Sequence, residues 1–210
     1  MRLKPENTGA ARVRFSTKHL SVEELRSTHE KYIQTVPNSY VTAVRHVDAA
    51  LASRNADVLA SAVSDWLRDL NRQYFRFRPD EAKTLTGRLL PIVQKNIAEL
   101  VTLHGRSIKT LAPSDKREIL RLFNVLRAEC GPVGTGKALH ILAPSFFPLW
   151  DDKIAAGYGV TRDHEGYLQF MSLVTQQVQH VPEDIIEGVS ILKLLDEYNY
   201  LQISAKDACA

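Results

Sequence analysis

A glycine-rich stretch followed by an aspartate contains the residue types in this chain that best suit chemistry. Gly131, Gly134 and Gly136 stand close together, directly before a predicted helix. Glycine lets the backbone approach a ligand closely, and the N–H groups at a helix N-terminus favour an anion such as phosphate. Asp151 follows, after a loop that is bracketed by prolines and rich in aromatic residues. Residues 130–152 are therefore the predicted functional segment, with phosphate as the ligand of the turn.

These glycines also satisfy a nucleotide-binding pattern. Residues 131–137 match G-x-x-x-x-G-K, the P-loop, in which backbone amides cradle phosphates and the next Ser or Thr binds magnesium. Here the next residue is Ala138. Residues 116–129 have the apolar spacing of an amphipathic helix, whereas a P-loop follows a buried strand. A P-loop nucleotide hydrolase is therefore the less favoured interpretation.

A second pattern fits the helical context better. A helix, a short turn containing V-G, a helix carrying an alanine, and an apolar loop ending in Asp follow one another. This order resembles the helix-hairpin-helix DNA glycosylases, whose pattern is approximately G-V-G-x-K-x-A followed by V-D-t-h-v. The matching hairpin positions are Val133, Gly134 and Ala138, and those of the V-D-x-x-v element are Trp150, Asp151 and Ile154.

The resemblance implies that the hairpin binds a DNA phosphate through backbone amides, a contact that positions the duplex without reading a base. The implied partner is double-stranded DNA with one nucleotide flipped out, because its glycosidic bond cannot be reached inside a duplex. A monomer without a cofactor or metal ion is expected. The residues assigned to DNA binding are Val133, Gly134, Thr135, Gly136, Lys137, His140 and Lys153.

Asp151 is the catalytic residue that the resemblance implies. Glycosidic cleavage builds positive charge on the sugar, and a carboxylate in a dry site stabilises that charge and orients or deprotonates water. Where bifunctional members carry a Schiff-base lysine this chain has Gly136, and Lys137 is one place later, turned by about 100° on a helix. We therefore predict a monofunctional enzyme that leaves an abasic site, while lyase activity of Lys137 or Lys153 stays open. The flipped base would occupy a pocket lined by Trp150, Phe147, Tyr158, Trp66 and Tyr74.

The cysteine content limits the substrate. The chain has two cysteines, Cys130 and Cys209, so it cannot hold the four-cysteine iron–sulfur cluster that the adenine and thymine-mismatch branches of this family often carry. A damaged or enzymatically modified base is the expected substrate, in DNA repair or in defence against phage with modified DNA. The competing interpretation is a helix-hairpin-helix module that binds DNA without catalysis.

Length and composition set wider bounds. The 210 residues, 44% hydrophobic and 24% charged, are typical of a soluble protein that buries one substantial core or two small lobes. A net charge of +3 permits nucleic-acid binding without demonstrating it. The start of the chain lacks a continuous apolar segment, and no run of eighteen apolar residues occurs. A cytoplasmic protein without a membrane span is expected.

The spacing of apolar residues predicts that helices position the candidate site residues. Residues 1–20 are predicted to form a basic arm, and residues 21–210 a helical domain of two lobes with a cleft, in which residues 116–160 carry the hairpin and the catalytic loop. The resulting fold class is all-α, similar to the helix-hairpin-helix glycosylases. Aromatic and basic residues interleave at 71–79, a strand-like or loop segment. Among the predicted helices are 39–53, 56–73, 80–103 with a break or kink at Pro91, 116–129, 166–180 and 185–201.

Overall fold

The computed structural model describes residues 19–36 and 39–207, which are helical apart from turns and one isolated bridge between Ile186 and Val189. The all-α prediction is confirmed for this part of the chain, whereas most of the predicted basic arm, residues 1–18, lies outside it. None of the helices described is long and apolar enough to cross a membrane. The helices are α1 (Val22–Thr35), α2 (Tyr40–Ala52), α3 (Ala56–Leu70), α4 (Arg72–Arg76), α5 (Pro79–His104), α6 (Lys116–Leu142), α7 (Asp152–Tyr158), α8 (His164–Val178) and α9 (Ile191–Asp207).

Side-chain caps start several of these helices where the sequence places suitable residues. Ser21 forms a capping box with Glu24: the Ser21 hydroxyl accepts from the Glu24 amide at 3.1 Å, and the Glu24 carboxylate accepts from the Ser21 amide at 2.9 Å. Asp163 accepts from the Gly166 amide at 2.8 Å and starts α8. Such caps satisfy backbone N–H groups that have no partner within the helix.

Three local predictions differ from the structure. Helix α5 continues through Pro91, so the predicted break is absent there; Pro91 is exposed, and Leu89 and Val93 on either side of it are buried. The last helix begins at Ile191 and not at residue 185, since residues 182–190 form turns in which Gly188 has a φ of 72°. Residues 72–76 form the short helix α4 rather than a strand-like segment.

Helix α3 lies at the centre of the packing around the predicted functional segment. It contacts α2, α5 and α6, and it buries Leu59, Val63, Trp66 and Leu67. Helix α1 packs mainly on α9, and α8 packs on α6. Apolar burial of this kind supplies most of the stability of helices that are individually marginal.

Gly131 interrupts α6. Its φ of 67° and ψ of 173° are non-helical, so α6 consists of residues 116–130 and 132–142 on either side of a one-residue break. Glycine adopts positive φ without steric cost, and Pro132 suits the first position of the new segment because its missing N–H would have no helical partner. The predicted glycine-rich turn is thus wrong in extent, since Gly134 and Gly136 lie inside the helix.

Gly136 gives Trp150 its place against α6. A Cβ atom on Gly136 would stand 2.3 Å from Trp150 Cδ1, closer than atoms can approach. The indole Nε1 donates to the Pro132 carbonyl oxygen at 3.3 Å, and the ring centroid lies 5.0 Å from that of Tyr167 and 6.1 Å from that of Phe170. Trp150 is therefore fixed by α6 on one side and by α8 on the other.

The Gly136→Ala variant should be destabilised by about 2–3 kcal/mol, because its methyl group would overlap a buried ring that has no room to move. Gly87→Ala is the matched control, since Gly87 lies in α5 and the added carbon would meet no atom within 4 Å outside the backbone of its own helix. That variant should gain roughly 0.5–1 kcal/mol from helix propensity. Urea denaturation measures both, and equal stabilities of the two variants would contradict the packing described.

Candidate active site

A cavity of about 230 Å³ brings Asp151 together with residues of six helices, α1, α2, α3, α6, α7 and α9. Two carboxylates, two ammonium groups and several aromatic rings line it. Concave sites that combine apolar walls with a few convergent polar groups are where small ligands bind. The residues that matter for chemistry are Asp151, Lys137, Trp66, Trp150, Lys193 and Asp196.

Asp151 is held at the start of α7. Its backbone is extended, with φ −142° and ψ −173°, and its Oδ1 accepts from the Ile154 amide at 2.8 Å. The neighbouring Trp150 is buried in the aromatic cluster. The carboxylate is half-buried and reaches the cavity. Its role as an N-cap therefore orients the group that the sequence predicts to be catalytic.

Lys137 lines the same cavity as Asp151. Its Nζ donates to Asn71 Oδ1 at 2.6 Å, and its backbone oxygen accepts from Trp66 Nε1 at 3.3 Å. Burial lowers the pKa of the Lys137 amine, although the nearby carboxylates of Asp151 and Asp196 oppose this. Because Gly136 faces Trp150, the next residue is turned by about 100° and reaches the cavity. In the sequence analysis this rotation argued against a lyase role for Lys137. In the structure the same rotation directs Lys137 into the cavity.

Lys193 and Asp196 of α9 are site residues that the sequence analysis missed. Lys193 Nζ lies 2.9 Å from Asp196 Oδ2 and 3.5 Å from Glu197 Oε1. Burial would lower the pKa of Lys193, but Asp196, Tyr32 and Glu197 outweigh it and raise the pKa. The sequence signal was a Lys and an Asp three places apart in a mainly apolar helix, a pattern that is typical of a solvated face.

Four of the predicted site side chains lie in the core or line another cavity. His140 is completely buried, with Nδ1 2.8 Å from the Phe147 carbonyl oxygen, so the prediction that its side chain contacts DNA is corrected. Phe147 is also completely buried and packs on Phe146. The Tyr158 hydroxyl donates to Gln177 Oε1 at 2.7 Å, and Tyr74 lines a different cavity. Of the five predicted pocket residues, Trp66 and Trp150 line the cavity beside Asp151.

The predicted phosphate-binding segment is largely covered. Gly134, Thr135 and Gly136 are buried, and the Thr135 hydroxyl donates to the Gly131 carbonyl oxygen at 2.7 Å. Val133 is half-buried and lines the second cavity, of about 270 Å³, whereas Lys153 is exposed on α7. The glycines that were assigned to a ligand serve close packing instead: Gly134 packs on Cys130, four residues earlier in the chain, and Gly136 packs on Trp150.

The second cavity offers little for covalent chemistry. Cys130 lines it, but burial raises the pKa of this thiol to about 12, so the nucleophilic thiolate is scarce at neutral pH. Among residues 19–36 and 39–207, no group of three His, Cys, Asp or Glu side chains is placed to bind a metal ion. The cavity that contains Asp151 is therefore the better candidate for an active site.

No family model, curated protein or solved structure matches this chain. What the site does therefore follows from its own residues. It combines a fixed carboxylate, an amine with a lowered pKa, and aromatic rings that can stack on a planar ligand. These groups suit attack on, or stabilisation of, an electron-poor carbon next to a flat leaving group.

The buried His140 should make stability depend on pH. Its Nδ1 donates to the Phe147 carbonyl and its Nε2 accepts from the Tyr40 hydroxyl at 3.0 Å, while burial lowers the pKa of His140 to about 4. Between pH 6.5 and pH 4, His140 is protonated in the unfolded chain but neutral in the folded chain. The free energy of unfolding therefore falls as the pH drops through this range. At pH 4.5 the loss from this group should be about 2–3 kcal/mol.

The measurement is urea unfolding at pH 7 and pH 4.5. His140→Gln should show a smaller pH-dependent loss of stability than the wild type, whereas the exposed His46→Gln should behave like the wild type. An identical loss in His140→Gln and in the wild type would disprove the assignment.

Proposed function

We propose that this protein is a DNA glycosylase that excises a damaged or modified base, with Asp151 as the catalytic carboxylate. The observation that supports this is the shared cavity of Asp151, Lys137 and the two tryptophans. At about 230 Å³ the cavity is smaller than the roughly 300 Å³ at which pockets for drug-sized ligands begin. That volume suits one planar ring system, such as a base flipped out of the duplex.

The chemistry begins with the bond between C1′ of the sugar and the base nitrogen. As this bond breaks, its electron pair leaves with the base and positive charge develops on the sugar. The Asp151 carboxylate, fixed by its hydrogen bond to the Ile154 amide, stabilises that charge without reorganisation. Trp66 and Trp150 supply aromatic surface on which the base can stack.

Two nucleophiles can complete the reaction. Water, oriented by Asp151, gives the hydrolytic route that the sequence predicts. The Lys137 amine gives a lyase route, in which its nitrogen attacks C1′ and the base departs, leaving an imine once the sugar ring opens. The lowered pKa of Lys137 favours the neutral amine that this route requires, and its place beside Asp151 leads us to expect this route rather than the hydrolytic one.

A basic and aromatic segment next to the cavity supports DNA as the partner. Leu70 lines the cavity and Asn71 binds Lys137, and α4 follows directly. Beyond it Phe77 is 80% exposed, with the Arg76 guanidinium 6.0 Å from its ring centroid. Exposed arginines next to aromatic rings suit phosphate contacts and base stacking.

The other two interpretations receive less support. A module that only binds DNA needs neither a half-buried carboxylate nor an amine beside it in a cavity. A P-loop hydrolase requires a strand before the glycines and a Ser or Thr after the lysine, but residues 116–130 are helical and Ala138 is buried.

Asp151→Asn should reduce base release at least about 100-fold, since a neutral amide cannot stabilise the charge on the sugar. Asp152→Asn is the matched control, because Asp152 is exposed and pairs with Arg162 at 2.6 Å. The measurement is mass spectrometry of nucleobases freed from genomic DNAs that differ in base modification. Full activity of Asp151→Asn would refute the catalytic assignment, and DNA binding without release from any DNA would favour the non-catalytic module.

Borohydride reduction separates the two nucleophiles. We expect it to trap a covalent protein–DNA adduct in the wild type and in Lys153→Met, and no adduct in Lys137→Met. The reason is that Lys137, and not the exposed Lys153, lines the cavity with Asp151. Base release without any adduct in the wild type would instead identify water as the nucleophile.

A further inference from the structure

Lys193 and Asp196 have no part in the catalytic steps proposed above, yet both line the same cavity as Asp151. The Lys193 side chain is 5% exposed and that of Asp196 is 20% exposed. Burying an ammonium group is costly unless partners compensate for the lost hydration. A buried charged pair at a ligand cavity therefore needs an explanation beyond stability.

The contacts of Lys193 leave it able to bind a ligand. Its Nζ lies 2.9 Å from Asp196 Oδ2, a normal hydrogen-bond distance. Its distances to the Tyr32 hydroxyl, 3.4 Å, and to Glu197 Oε1, 3.5 Å, are both long. An ammonium group has three donors, so a ligand oxygen can replace a long contact without breaking the short one.

The surroundings hold this ammonium group in position. Its Nζ lies 4.4 Å from the ring centroid of Tyr32 and 5.7 Å from that of Tyr40. Glu197 is in turn bound by His29 Nδ1 at 2.7 Å, which ties α9 to α1. A donor fixed in this way can select a ligand by the position of its acceptor.

We infer that Lys193 and Asp196 recognise a lactam base, one with a ring carbonyl beside a ring N–H, as in 6-oxopurines and 4-oxopyrimidines. The inference rests on the proposed function, since it assumes that the cavity receives a base. Lys193 would donate to the carbonyl oxygen and Asp196 would accept from the ring N–H, and both hydrogen bonds would be charge-assisted. Adenine and cytosine offer instead a bare ring nitrogen and an amino group, a weaker acceptor and a less acidic donor.

The tryptophans report on this cavity directly. The chain has two, Trp66 and Trp150, and both line it, so ligand binding should change the intrinsic fluorescence. Titration compares 9-methylhypoxanthine with 9-methyladenine, and 1-methyluracil with 1-methylcytosine, because the methyl group blocks the nitrogen that carries the sugar in DNA and leaves cytosine without a ring N–H. We expect the oxo member of each pair to bind roughly tenfold more tightly, the effect of one charge-assisted hydrogen bond.

Asp196→Asn should remove that preference, because an amide can donate as well as accept at this position. Asp184→Asn, at an exposed site outside the cavity, is the matched control and should keep it. Lys193→Met leaves the buried Glu197 without one of its partners and can unfold the chain, so the test depends on Asp196→Asn and on the comparison of bases.

The outcomes separate this inference from the proposed function. Equal affinity for the members of each pair, an unchanged preference in Asp196→Asn, or no fluorescence response to any base would overturn the lactam assignment. If the protein released bases from DNA under any of those results, the glycosylase proposal would stand alone. A lactam preference lost in Asp196→Asn, together with no base release from any DNA, would support the binding site and refute the glycosylase.

Discussion

The close contact between Trp150 and Gly136 is the constraint on which the rest of the site depends. The indole occupies the space that a Cβ atom would fill, and its N–H binds the backbone just after the break in α6. Asp151 is the next residue along the chain, so the place of its carboxylate is set by a ring that cannot move. The same contact orients α6 so that Lys137 reaches the cavity beside Asp151. Packing therefore creates the polar site.

The cavity also shows how this fold accommodates charge at low exposure. Lys193 is compensated by Asp196 and Glu197, and Glu197 is bound in addition by His29. Lys137 faces Asp151 and Asp196 and binds Asn71. Buried ions persist when each has partners of this kind, and removing one partner is far more damaging than removing a surface charge. The two ammonium groups therefore differ in pKa. Burial lowers the pKa of Lys137, whereas the charged partners of Lys193 raise the pKa of Lys193.

Much of the helical framework could be predicted from local patterns. Ser21 and Asp163 mark helix starts because capping is decided within four residues, and the apolar stripe of α3 predicts its buried side. Prediction was wrong where contacts within the folded chain use residues that the sequence had assigned to a ligand. Gly134 and Gly136 looked like a ligand-binding turn, yet they serve close packing inside a helix. His140 looked like a DNA contact, yet the Phe147 carbonyl and the Tyr40 hydroxyl bind its ring in the core.

The sequence by itself determined the all-helical architecture of the described residues, an interruption between helices that includes Gly131, and Asp151 at a helix start, because each depends on periodicity, backbone freedom or a nearby amide. Tertiary structure alone decided which side chains share the cavity. Lys193 and Asp196 are more than forty positions from Asp151, and no local pattern relates α9 to α7. Helices α7 and α9 pack together because burial of their apolar surfaces is favourable. This packing places Lys193 and Asp196 at the cavity that contains Asp151.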